Sequence, residues 1–101
     1  MTIDLRVAQW SAVLVAVDVV IAEQSIEAEG LAWLRKAAEA IRTEARRRGS
    51  TDMLSMSIDH PGCEMLAYIV QQRARVYPQH PTLGVIRDEL RRQIDRQASA
   101  G

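Results

Sequence analysis

The chain has 101 residues, 48% of them hydrophobic and 4% aromatic with no Phe, and its thirteen basic side chains balance thirteen acidic ones. That length holds one domain with a modest aliphatic core, and the apolar share excludes disorder. Balanced charge leaves no net field to gather nucleic acid or anionic membrane, and a lone cysteine, Cys63, excludes an internal disulfide and points to a reducing cytoplasm.

Hydrophobic periodicity predicts an all-α fold: one bundle-like domain over 1–101, with about four helices at 3–22, 26–48, 61–77 and 82–97 and a frayed tail over 98–101. The first helix is expected to be very apolar. Residues 2–29 contain no Gly, Pro or Asn, a run too long for a strand, and Ile3, Val7, Trp10, Leu14, Val17 and Ile21 keep a 4-3-4-3-4 spacing. The β-branched alternation Val13, Val15, Val17, Val19, Ile21 is the competing strand signal. Neither a membrane span nor a signal peptide is expected. The apolar run 7–22 falls short of a bilayer, Asp18 would be costly inside one, and MTIDLR sets Asp4 against Arg6 where a leader would be basic.

At 100° per residue, Asp4, Ser11 and Asp18 form a narrow polar stripe along this first helix. One flank carries Val7, Trp10, Val13, Leu14, Val17, Val20 and Ile21; the other carries Leu5, Ala8, Ala12, Val15 and Val19. Both flanks call for burial.

The second helix is amphipathic, with Leu31, Leu34, Ala38, Ile41 and Ala45 opposite Arg35, Glu39, Arg42 and Arg46; Ser25 is the expected N-cap and Gly49 the expected C′ residue. Residues 50–60, STDMLSMSIDH, are expected to form a packed connection, because the alternation of Leu54, Met56 and Ile58 has no obvious strand to pair with. Asp59 should cap the third helix, which aligns Cys63, Leu66, Val70, Ala74 and Tyr77 and stops at Pro78. The fourth offers only Leu83, Ile86, Leu90 and Ile94, the thin stripe of a peripheral helix.

Three such companions provide too little apolar surface to shelter both flanks of the first helix, so a second protein surface is expected to cover one of them. The expected interface comprises Val7, Trp10, Leu14, Asp18, Val15, Val19 and Ile21, with Trp10 as anchor and Asp18 either reaching an Arg across the interface to fix register or standing as an exposed residue of the polar stripe. The function this implies is a non-enzymatic interaction module acting as homodimer, adaptor or inhibitor, with another protein or itself as partner and no cofactor.

Two other function classes carry residues of their own. Net charge runs −4 over 1–30, +4 over 31–50, −3 over 51–72 and +3 over 73–101, so Arg46, Arg47 and Arg48 with Arg91, Arg92 and Arg96 offer a phosphate patch for nucleic acid. Acids at helix starts and bases at helix ends account for the same blocks through the macrodipole, and no aromatic residues interleave, so nucleic acid is not favoured. A metal or enzymatic site would rest on His60, Cys63 and His80, yet Cys63 falls in line with Leu66 and Val70 as a buried thiol would. DELRRQIDRQ, residues 88–97, resembles the first-helix pattern of small all-helical chorismate mutases. It covers ten residues near the far end of the chain, without the long basic helix that should follow, and assigns no family.

Overall fold

The computed structural model describes residues 1–100, in the order β1 (Thr2–Arg6), α1 (Val7–Glu23), α2 (Ala28–Ala45), β2 (Met53–Ser57), α3 (His60–Val76) and α4 (Pro81–Ala100). The fold is therefore mostly helical but not all-α. Residues 3–6, expected as the start of the first helix, are strand, and the expected connection 50–60 contains the strand that pairs with it.

The reason lies in a second periodicity inside TIDLR. Ile3 and Leu5 are buried while Thr2 and Arg6 are exposed, the alternation of a half-buried strand. Met1 and Ile58 exchange two backbone hydrogen bonds of 2.8 Å, and Val7 N–H donates to Asp52 C=O at 2.9 Å, which fixes an antiparallel register opposing residues i and 59−i. Both bonded pairs place even-numbered β1 residues with their amides facing away from β2.

Those amides are met by glutamines. Thr2 N–H donates to Gln97 Oε1 at 3.0 Å, Asp4 N–H to Gln93 Oε1 at 2.8 Å, and Arg6 N–H to Gln9 Oε1 at 2.9 Å. Gln97 and Gln93 also return Nε2 bonds to the Thr2 and Asp4 carbonyls at 2.7 Å each, so two side-chain amides stand in for a third strand. The fit is geometric: four helical residues rise about 6 Å and two strand residues about 6.6 Å. An edge that would otherwise template aggregation is closed.

The chain forms two compact units, Met1–Asp4 with Ser55 onward, and Leu5–Leu54. In the second, α1 packs on α2: Trp10, Val13, Leu14, Ala16 and Val17 bury against a face made by Leu31, Leu34, Ala38 and Ile41. Trp10 is fully buried, and its Nε1 donates to Leu54 C=O at 2.8 Å, satisfying the one polar atom of the side chain. Helix α1 starts at Val7 rather than residue 3 because its first amides are taken by the 50–52 backbone, Val7 by Asp52 and Ala8 by Ser50. It ends at Gln24 in the left-handed region, φ 51°, with Ser25 N–H reaching back to Val20 C=O. Helix α2 starts at Ala28 behind Glu27, and not at residue 26 behind the expected Ser25 cap. The expected extension of α2 to residue 48 fails too: Arg47 and Arg48 N–H donate to C=O groups only three residues back, at Glu44 and Ala45, and Gly49 N–H goes to Asp52 Oδ2.

In the other unit α3 packs on α4. Asp59 caps α3 as expected, accepting from Gly62 N–H at 2.8 Å. The helix runs His60–Val76, within a residue of the expected 61–77. Its face of Cys63, Leu66, Ile69, Val70 and Ala74 and the α4 face of Ile86, Leu90 and Ile94 form an aliphatic core. Helix α4 extends beyond the expected 82–97, so residues 98–100 are helical, not frayed, while Gly101 lies outside the described residues.

Candidate functional site: the outer face of helix α1

The seven residues expected at an interface divide between the two sides of α1. Val7, Trp10 and Leu14 are buried within the chain, so they form core and not a docking surface. Ile21 is half-buried. Val15 is 56% exposed, Val19 is half-buried, and Asp18 is exposed with 51% of its side chain accessible. The expected role of Asp18 changes accordingly. Its Oδ1 takes a hydrogen bond from Arg42 Nη2 on α2 of the same chain, an ion pair that holds the Arg42 guanidinium above its ordinary pKa.

Ala8, Ala12, Val15, Val19 and Ala22 recur at spacings of 4-3-4-3, which places them within an 80° arc centred opposite Val17. All five are exposed or half-buried, and Ser11, Asp18 and Glu23 border them. Ala8, Ala12, Val15 and Val19 belong to the flank opposite Trp10, and the fifth residue of that flank, Leu5, is buried in β1; of the expected interface only Val15 and Val19 lie in this arc. Nothing in the arc is a nucleophile, acid or ligand. It can contribute shape and apolar area only.

The residues of the other function classes take up structural roles. Arg46, Arg47 and Arg48 are exposed in the turns after α2, Arg48 pairing with Glu44 at 3.0 Å. In the other unit Arg91 holds Glu64 at 2.7 Å and Asp95 at 3.3 Å, and Arg92 Nε holds Glu89 at 2.9 Å. Arg91 keeps the Glu64 carboxyl below its ordinary pKa, and Arg92 with Gln93 does the same for Glu89. Arg96 is exposed. Cys63 is buried, its Sγ 3.6 Å from Ile58 C=O, and burial pushes its thiol pKa up, away from nucleophile chemistry. His60 Nε2 lies 3.3 Å from Glu64 Oε1, and the ring of His80 lies 6.1 Å from that of Tyr77. Among the described residues no three His, Cys, Asp or Glu side chains gather as a metal-holding group, and no helix is long and apolar enough to cross a membrane.

One further concavity, of about 310 Å³, lies between α3 and α4, lined by Ala67, Gln71, Arg75, Arg87, Asp88 and Arg91. Sequence reasoning did not find it, because its arginines come from separate helices. Its positive charge is largely answered: Arg87 pairs with Asp88 at 3.0 Å, and Arg91 with Glu64 and Asp95. No family model, curated protein or solved structure matches this chain.

Proposed function

We propose that this chain is a non-enzymatic protein-interaction module that associates with a second copy of itself through the outer face of α1. The observation that carries the reading is Val15, 56% exposed at the middle of an apolar arc that includes Val19 and three alanines. Burying that arc removes apolar area from water and asks no polar group to be desolvated, because Ser11, Asp18 and Glu23 lie at its borders. A nucleic-acid role has less support. Arg48, Arg91 and Arg92 already hold carboxylates of their own chain, and a phosphate would have to displace these. A buried single thiol suits a reducing, cytoplasmic setting.

Sedimentation equilibrium tests the proposal. The wild-type chain is expected to reach dimer mass at tens to hundreds of micromolar, the weak range appropriate to a small interface. Val15→Glu should hold it at monomer mass with an unchanged circular-dichroism melt, since the position is exposed. A wild-type chain that stays monomeric throughout that range overturns the reading.

A further inference from the structure

We infer that the second copy lies antiparallel across α1, with the two-fold axis at Val15. The inference rests on the self-association reading above and adds orientation and register to it. Ala8 and Ala22 lie seven positions either side of this residue, and Ala12 and Val19, three before and four after, fall one residue short of the same symmetry. An antiparallel pair centred there stacks Val15 on its counterpart and Ala8 on Ala22, and sets Ala12 within one residue, about 1.5 Å, of Val19, so the seam between the helices is apolar from both sides.

Charge selects this orientation. The first turn of α1 holds no acidic residue and the last holds no basic residue, so its side chains leave the macrodipole uncompensated. They reinforce it: Arg6 precedes the positive amino end, and Glu23 closes the negative carboxyl end and is exposed. An antiparallel copy sets each Glu23 against the amino end of its neighbour, and does so twice by symmetry. A parallel copy would align both dipoles and place Asp18 five positions from Glu23 of the other helix, the spacing at which flanking charges meet across a seam. In the antiparallel pair Asp18 faces Ser11 instead, with no like charge opposite.

Disulfide trapping in the full chain decides the matter. Cys63 stays in place, since its buried thiol does not compete. Ala8→Cys and Ala22→Cys are made separately, and each keeps its wild-type melt if the sites are as exposed as they stand. Under mild oxidation an equimolar mixture should form the mixed Ala8→Cys to Ala22→Cys dimer several-fold faster than either variant forms its own dimer, and Val15→Cys alone should cross-link readily. Glu23→Arg should weaken association several-fold at low salt, with the effect fading at high salt. Fast self-cross-linking of Ala8→Cys in a chain that still sediments as a dimer overturns the orientation and leaves self-association standing. A chain that sediments as monomer and cross-links nowhere overturns both.

Discussion

Gln93 and Asp18 are both polar side chains set among apolar helix neighbours, and the fold treats them oppositely. Gln93 is 2% exposed, and its amide is spent in full: the oxygen accepts from Asp4 N–H, and the nitrogen donates to Asp4 C=O and to Glu89 at 2.8 Å. Asp18 has half its side chain in water and one partner, Arg42. A buried polar group must be matched atom by atom, because each unmet donor or acceptor costs about 1–3 kcal/mol; an exposed one has water as the alternative. No buried side-chain nitrogen or oxygen among the described residues lacks a partner.

The largest expected effect lies at the other buried polar tip. Trp10→Ala removes a fully buried indole and leaves Leu54 C=O without its side-chain donor, and should destabilise the chain by about 3–5 kcal/mol in urea denaturation. Trp10→Leu keeps much of the apolar volume and should recover part of the loss. Next comes Gln93→Leu, nearly isosteric and more apolar. If burial of apolar area ruled this position, the variant would be neutral or more stable. Because the Asp4 N–H and C=O would lose their partners, a loss of about 1–3 kcal/mol is expected. Gln97→Leu makes the same change where water can reach the freed Thr2 groups, and should cost less than half as much.

This contrast also marks what the sequence could reveal. The four helices were legible because Leu31, Leu34, Ala38 and Ile41, and likewise Leu66, Val70 and Ala74, repeat at helical spacing and are buried as that spacing implies. The sheet was not legible. Ile3 fits a period of two with Leu5 and a period of four with Val7, and the longer apolar run swamped the shorter pattern. The five residues of β2 have no visible partner in the sequence, because β1 shares its apolar residues with the helical repeat that follows it. The glutamines left no pattern either: only the placement of α4 beside Thr2 and Asp4 turns Gln93 and Gln97 into edge closures. On α1 the sequence showed that both flanks were apolar, but not which one α2 would take. Trp10 and Leu14 went inward because that flank carries the larger side chains, leaving the valine and alanine side outward.

A smaller effect should appear with pH at Glu64, which lies between Arg91 and His60. Its folded pKa lies below the ordinary 4.5, chiefly through the Arg91 hydrogen bond, so its contribution is present above that value and is lost as pH falls through the folded pKa. Wild-type stability should therefore drop more steeply than that of Glu64→Gln on acidification below about pH 4.5. Both partners are more than 40% exposed, so the difference should stay under about 1 kcal/mol and shrink in 0.5 M salt.

The smallest expected effect returns to Asp18. With Arg42 33% and Asp18 51% exposed, the pair sits in the range where double-mutant cycles give about 0.2–1 kcal/mol. Asp18→Ala, Arg42→Ala and the double variant should yield a coupling of that size, reduced by salt. Because Asp18 borders the α1 arc, its removal should leave the dissociation constant of the proposed dimer within about twofold, whereas Val15→Glu should abolish the proposed association. A coupling above about 2 kcal/mol, or a dimer much weakened by Asp18→Ala, would mean that association dries this ion pair and draws it into the interface. Asp18 would then obey the rule that governs Gln93, and the contrast between the two residues would hold only for the monomer.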